Sequence, residues 1–409
     1  MKILFLCGII DEENIEEIER ESVSKVDYAA NLFQQKLLEG FTHIMKDKNG
    51  DKEIEEISVL SAPFIGAYPN DSKILNFKGF SKNREGYTYV KFNNIWGLRN
   101  ISRTKSLKKA IKSFAKADGE KLILIYCPHT PFVKAAEYAK KIDKNIKICL
   151  YAPDVPQYMN ISAKINPIYK IAKKYDIASI TKHMSYVDSF VLLTKHMVDY
   201  LPVGNKPFKV IEGIVSPNIF ENNKYKTFAE NGKKYIVYTG SVMEKYGVSN
   251  LVDAMKYISD PNIYLVLCGD GDGYQYAESA SEKDKRIILL GQVTSSVAHE
   301  WQQKATVLVN PRQGTEVYTR VSFPSKNIEY LLSGKPVVAY FLSGMPEIYR
   351  NFIFEVPKGN PAVALAETIE KAISADNKEK SECFIEYAKE NLQANYIARE
   401  IIRLNFGKQ

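Results

Sequence analysis

Two patterns alternate along the first half of the chain. Short, continuous apolar runs are separated by stretches in which apolar positions recur at helical spacing. The runs Lys2–Ile9, Glu56–Pro63, Tyr87–Ile95, Lys121–Pro128, Lys147–Asp154 and Ser189–Thr194 predict strands of a parallel sheet buried on both faces. The periodic stretches predict helices over Lys25–Leu38 and near Pro131–Lys141 and Pro167–His183. Strand and helix in turn argue for a doubly wound sheet. From Leu201 to Gly232 the pattern loosens around Pro202, Gly204, Pro207, Pro217 and the polar Glu221-Asn222-Asn223, with one strand at Lys209–Glu212; this is the expected domain connection.

The second half repeats the alternation. Strands are expected at Tyr235–Thr239, Ile263–Cys268, Arg286–Leu290, Ala305–Asn310 and Lys335–Tyr340, with helices at Val248–Ile258, near Tyr274–Ser281, at Ser296–Gln303 and at Pro324–Leu332. A strand at Phe352–Val356 and helices at Pro361–Ser374 and about Lys378–Leu404 follow. The fold class is therefore α/β, with two doubly wound domains at 1–205 and 206–385 and a terminal helical segment, 386–409.

Composition narrows the setting. A chain of 409 residues with 45% hydrophobic content can bury two sizeable cores. No run approaches the roughly 18 apolar residues of a spanning helix, and the start lacks a basic stretch followed by an apolar one, so a cytoplasmic protein is expected. Cys7, Cys127, Cys149, Cys268 and Cys383 form no CxxC pair or Cys/His cluster, so buried thiols are expected rather than disulfides or a metal site. The net charge of +8 is concentrated in segment 99–121, where Arg99, Arg103, Lys105, Lys108, Lys109, Lys112, Lys116 and Lys121 face only Asp118 and Glu120. Leu107, Ala110, Ile111 and Phe114 give that segment one apolar helical face. It reads either as a core-packed helix with a solvated back or as a surface drawn to anionic lipid. No nucleic-acid-binding module accompanies it, so nucleic acid is not an expected partner. The acidic run Asp11–Glu21 reads as a solvated loop or mobile helix, a flap over the cleft.

Open parallel sheets bind ligands at the carboxyl ends of their strands, so the residues after each strand are the candidates. In the first half these are Gly8, where a backbone without a side chain admits a ligand, and His129 and Asp154, which suit hydrogen bonding to a substrate. In the second half the loop Gly240-Ser241-Val242-Met243-Glu244-Lys245-Tyr246-Gly247 offers small residues and one cation. Gly269-Asp270-Gly271-Asp272-Gly273 is read as a tight turn, because its aspartates would repel a pyrophosphate. Arg312 suits phosphate or an anionic acceptor, with Glu316 as a nearby counter-charge. In Ser322–Ala339, Ser322 is placed to cap a helix that Gly334 ends, and Ser325 and Glu329, four apart, project from one face of it.

The run FPSKNIEYLLSGKPVVAY from Phe323, with Asn310-Pro311-Arg312 before it and YTGSVMEKYGV from Tyr238, resembles the donor half of a family-4 glycosyltransferase, most strongly over Lys234–Tyr349. The resemblance implies the GT-B fold, two Rossmann-like domains facing across a cleft, with 386–409 returning to the N-terminal domain. It also implies transfer with retention of configuration from a nucleotide-sugar, UDP-linked, to a saccharide or polyprenyl-linked acceptor, without metal or cofactor, in bacterial capsule, exopolysaccharide or lipopolysaccharide synthesis. Such an enzyme works at the inner face of the membrane. Carried over residue by residue, Glu329 positions the ribose, and Lys245 and the amides near Ser325 and Lys326 stabilise the diphosphate. Gly240 and Ser241 allow close approach, Val293 meets the base through its main chain, Arg312 faces phosphate, His129 contacts the donor sugar and Asp154 seats the acceptor. One departure stands out: the family has two glutamates separated by seven residues, and with Glu329 as the second, the first falls on Val321. A catalytically silent partner subunit and a sugar-nucleotide epimerase are the alternatives.

Overall fold

A computed structural model describes residues 1–23, 28–46, 53–80, 82, 84–158, 167–222, 232–314 and 316–407. The chain forms two compact units, one of Met1–Pro217 with Leu392–Gln409, the other of Asn218–Asn391.

The first unit is built on β1 (Lys2–Cys7), β2 (Glu56–Ser61), β3 (Asn76–Phe77), β4 (Tyr87–Tyr89), β5 (Phe92–Asn93), β6 (Lys121–Tyr126), β7 (Lys147–Ala152), β8 (Ser189–Leu192) and β9 (Phe208–Val210). Seven of these make one sheet in the order β4-β2-β1-β6-β7-β8-β9, parallel at every pairing. Its central strands are buried on both faces, which is why they read as unbroken apolar runs. One face is covered by helix Tyr28–Lys46 and helix Ala394–Phe406, whose Leu37, Phe41, Ile397 and Ile401 share a core with Phe5, Leu124 and Tyr151. Each such side chain contributes about 1.5–3 kcal/mol by leaving water.

The second unit holds β10 (Lys234–Thr239), β11 (Ile263–Cys268), β12 (Ile287–Gly291), β13 (Val307–Asn310), β14 (Val337–Ala339) and β15 (Phe354–Glu355). Their order is β12-β11-β10-β13-β14-β15, again parallel throughout. Helices Val248–Ala254 and Pro361–Ser374 pack together over one face, burying Leu251, Val252, Leu365 and Ile369. In each sheet the strand order reverses once, between β1 and β6 and between β10 and β13. Crossovers leave on opposite faces on either side of such a point, and the gap at its carboxyl end is where these folds hold ligands.

Several expectations are corrected. Tyr87–Ile95 is not one strand: β4 joins the main sheet, while β5 pairs antiparallel with β3. The terminal helix is two, Lys378–Asn391 in the second unit and Ala394–Phe406 in the first. The chain breaks between them where Val215 N–H donates to Leu392 O at 2.7 Å and Ala394 N–H to Val215 O at 2.9 Å. Residues 206–217 stay with the first unit, because β9 pairs with β8. Of the two readings of the acidic run, loop or helix, the structure has the helix: Ile15–Glu21 buries Ile18, and flanking backbone bonds join Val23 to Asp71 and Lys73 to Glu21. Helix Tyr28–Lys46 covers most of the expected Lys25–Leu38, of which 25–27 lie outside the described residues. The basic segment is two helices, Arg99–Ala110 and Lys112–Lys116, followed by β6. Arg103 is 2% exposed, and Lys121 is buried against Asp143 at 2.8 Å, so only part of its charge faces solvent.

Cys7, Cys127, Cys149 and Cys268 are buried and Cys383 is exposed, all with free thiols. Burial pushes Cys7 up to about 12 and Cys149 and Cys268 to about 11, keeping the thiols protonated. Among the described residues no helix is long and apolar enough to cross a membrane.

The helix pair over the first sheet closes at Gly40, where a Cβ would lie 2.1 Å from Ala394 O. Backbone cannot yield as a flexible side chain does, so Gly40→Ala should destabilise the unit by about 1–3 kcal/mol. The measurement is the thermal unfolding midpoint, which should fall by several degrees; an unchanged midpoint would contradict so tight a closure.

Candidate functional site

In the second unit the loop Gly240–Gly247 leaves β10 at the switch point. It is held by backbone contact on both sides. Gly247 sits at φ +76°, and a Cβ there would lie 2.3 Å from Pro311 O, in the loop after β13. A Cβ on Gly269 would lie 1.7 Å from Gly240 O, and one on Gly271 2.3 Å from Val242 O. The alternating glycines after β11 are therefore more than a tight turn: they let two loops touch main chain to main chain. Asp272 Oδ1 also accepts the Glu244 N–H at 2.9 Å.

This packing brings two cations to one aromatic ring. Lys245 Nζ lies 5.3 Å from the Tyr246 ring centroid, and the Arg312 guanidinium carbon lies 5.5 Å from the same centroid and 5.2 Å from that of Tyr318. Ser322 does not cap the following helix; its Oγ accepts from Arg312 Nη2 at 2.9 Å. Arg312 Nε is buried without a partner. Lys245 and Ser241 are exposed, Gly240 half-buried.

Helix Ser325–Leu331 begins after Pro324 with no side-chain cap and has seven residues. Two of its side chains pin it to the same strand ends. The Tyr330 hydroxyl accepts the Thr239 N–H at 2.8 Å and donates to Thr239 O at 3.1 Å, at the end of β10. Asn327 Oδ1 accepts from Asn310 Nδ2 at 2.7 Å, at the end of β13. Glu329 is thereby fixed with its side chain 45% exposed. Its Oε1 accepts from Gln302 Nε2 at 2.6 Å and its Oε2 pairs with Lys326 Nζ at 2.9 Å. Gln302 is 1% exposed and its other amide hydrogen goes to Thr239 Oγ1 at 2.8 Å, so both donors are committed. Ser325 is exposed one turn before Glu329.

Val293 follows β12, just before Thr294 caps helix Ser295–Lys304, two strands from β10 and thus on the order of 10 Å away. Val321, where the first family glutamate would fall, is 2% exposed at the end of the short turn Val317–Val321, so that position presents no polar group. Glu316 is exposed just before the same turn.

In the first unit Gly8 and His129 flank the β1/β6 switch point. A Cβ on Gly8 would lie 2.5 Å from the Phe64 ring, so the missing side chain makes room for Phe64 rather than for a ligand. Its N–H donates to Gln34 Oε1 at 2.9 Å. His129 meets Phe64 and Phe132 edge-on, with ring centroids 6.0 and 5.0 Å away, and its Nδ1 is buried without a partner. Burial, then the charges of Arg103 and Arg99, hold its pKa well below the usual value, so the ring is neutral. Asp154 is exposed one strand further along, after β7.

The structure thus gathers Gly240, Ser241, Lys245 and Arg312 at one switch point, with Ser325, Lys326 and Glu329 on a helix pinned to the same strands. Sequence reasoning missed Gln302, Tyr330 and the inward turn of Arg99 and Arg103. Gln302 left one signal, an uncharged polar residue on the inner side of an amphipathic helix; the pairing of Tyr330 with Thr239, 91 residues apart, left none.

Residues 219–391 match the family described as "Glycosyl transferases group 1". No curated protein matches the sequence. Among solved structures the lipopolysaccharide outer core galactosyltransferase WaaB, in its apo form, superposes with a TM-score of 0.63 at 14% identity, covering 100% of both chains. HepE of Anabaena in complex with UDP gives a TM-score of 0.60 at 14% identity over 98% of this chain and 99% of its own. WaaG, a glycosyltransferase involved in lipopolysaccharide biosynthesis, gives 0.58 at 12% identity over 99% and 100%. At such identities the likeness is one of fold. The chain accordingly has the GT-B fold of two Rossmann-like domains, and the match to the glycosyl transferase family falls in its second unit.

Proposed function

We propose that the chain is a glycosyltransferase that moves a sugar from a nucleotide-sugar donor to a saccharide or lipid-linked saccharide acceptor. The observation that carries this reading is the meeting of Lys245 and Arg312 on the Tyr246 ring, at the switch point of the unit that matches a glycosyl transferase family. Two cations there suit a diphosphate whose charge grows as the sugar departs. In this reading Glu329, which Gln302 aims and Lys326 balances, accepts hydrogen bonds from the ribose. The seven-residue helix at Ser325 adds its free amides, while most of the electrostatic work falls to the two side-chain cations.

A UDP-linked donor is the reading we favour, since HepE, which shares the fold, has been crystallised with UDP. Retention of configuration, independence of metal and a role in bacterial surface polysaccharide synthesis follow from the motif resemblance. The first unit holds the acceptor, with His129 toward the transferred sugar and Asp154 toward the acceptor hydroxyl. Trp96, Leu98 and Ile101 are exposed beside the exposed Lys105, Lys109, Lys112 and Lys116, a combination suited to the anionic face of a membrane.

One observation favours a second reading, a silent partner of the same fold: the buried Val321 where a sugar-binding carboxylate is expected. In the active reading Glu316 or main-chain groups take that part. An epimerase of this fold would need no acceptor, which separates it from both.

Calorimetric titration with UDP, GDP and ADP tests the donor site. One nucleotide should bind in the micromolar range, and Glu329→Ala should weaken it about tenfold through loss of a charge-assisted hydrogen bond. Failure of all three to bind would transfer the case to the silent partner. Once a donor is known, Lys245→Ala and Arg312→Ala should each lower kcat by about 10²–10³ with a smaller change in KM, as expected for groups acting on the developing charge; a change confined to KM would place them in ground-state binding only. Vesicles test the surface: the chain should sediment with anionic lipid at low salt and come off at high salt, whereas equal binding to neutral lipid would remove the electrostatic reading.

A further inference from the structure

Three basic side chains converge on one loop at the β1/β6 switch point, and the nearest acids, Asp71 and Asp176, act on Arg99 through space. Arg99 and Arg103 lie one turn apart on helix Arg99–Ala110 and therefore point the same way. Arg103 Nη2 donates to Pro63 O at 2.8 Å, and Arg99 Nη1 donates to Ile65 O at 3.4 Å. Between those two carbonyls lies Phe64, whose ring meets His129 edge-on. Loop 63–65 thus ties all three to the carboxyl end of the sheet.

Their charge is offset from within only at a distance, by Asp71 and Asp176. Among the described residues neither arginine makes an ion pair, although other shielded cations do: Lys121 with Asp143, Lys140 with Asp188 and Arg286 with Asp284. Arg103 is almost wholly buried, its guanidinium stacked 4.2 Å from the Phe92 centroid and its Nε without a partner. A guanidinium cannot shed its proton to escape such a site, so its positive field persists. Arg99 and His129 are only partly covered and form the open side of the cluster. The buried Nδ1 of His129 has no partner, which leaves Nε2 as the nitrogen available to a ligand.

We propose that this cluster is an oxyanion site, with Arg99 and His129 Nε2 as direct donors and Arg103 as the fixed charge behind them. The occupant is a phosphate or carboxylate. It belongs either to a phosphate-bearing acceptor or to an acidic sugar; both share the chemistry of a small, multiply accepting oxyanion that an arginine can grip with two N–H groups. That the anion is carried by the acceptor rests on the reading of the first unit given above. The site itself does not.

The test keeps the two apart. In the full chain carrying Lys245→Ala and Arg312→Ala, which removes the second unit's cations from competition, the imidazole resonances of the five histidines are followed by NMR. Methyl phosphate, glucuronate and neutral glucose are added at constant ionic strength. The resonance that vanishes in His129→Gln should shift saturably with at least one anion and not with glucose, and the anion that binds more tightly names the source. Arg99→Gln, on the partly exposed side, should weaken that binding about tenfold without moving the thermal midpoint. Arg103→Gln should do the same if it folds, but the proposal does not depend on that variant. A His129 resonance indifferent to both anions, or saturable binding that ignores Arg99→Gln, would overturn it.

Discussion

A parallel strand can be joined to its neighbour only by a crossover that carries the chain back to the starting end. Both sheets here are parallel at every pairing, so every loop that follows a strand is delivered to the same edge. All else in the molecule follows from this. The faces are closed by helices, the strands between them are apolar throughout, and the polar chemistry collects where strands end. Where the strand order reverses, the helices leave on opposite faces and the edge opens; each unit places a cationic set at that opening. In the second unit it is Lys245 with Arg312, in the first Arg99 with Arg103, beside the neutral ring of His129.

The two sets are built differently. The second unit brings its cations together through glycine, with three loops in main-chain contact at Gly247, Gly269 and Gly271. Its cations therefore sit on short, stiff loops, both within 5.5 Å of the Tyr246 ring centroid. Glu329 is positioned by another route, a short helix bolted at Tyr330 and Asn327 to two different strands, with a buried glutamine steering the carboxylate. A seven-residue helix in isolation would not hold its shape; here the strand ends hold it. The first unit instead uses one long helix to drive two arginines under a loop, and accepts buried charge.

Much of this was legible beforehand because buried parallel strands advertise themselves. Lys2–Cys7, Ile263–Cys268 and Pro361–Ser374 lie where apolar periodicity places them. The errors have common physical causes. Tyr87–Ile95 is apolar enough for one strand, yet the chain bends after Tyr89 and the remainder pairs with β3 in a small sheet of its own, a long-range choice that local pattern cannot register. The basic residues of segment 99–121 read as an outward face because charge is a property of residue type, while burial of Arg103 and Lys121 is decided by partners 40 and 22 residues away, Pro63 O and Asp143. In the candidate site the residues on strand-end loops were readable; those that aim them, Gln302 and Tyr330, act across the sheet and were not.

The break at Leu392–Gln393 has a consequence for how the molecule is made. The second unit is an insertion within the first, entered after Pro217 and left before Leu392. During synthesis the first sheet emerges early but lacks the amphipathic helix that covers part of its face, since that helix follows the whole second unit in the chain. The face carrying Phe5, Leu124 and Tyr151 must stay partly unclothed while the whole second unit, which is complete in itself, is translated and folds. Completion of the first unit is thus timed by the arrival of its final helix, and a chain interrupted just before it would hold one finished domain and one with an open, sticky flank.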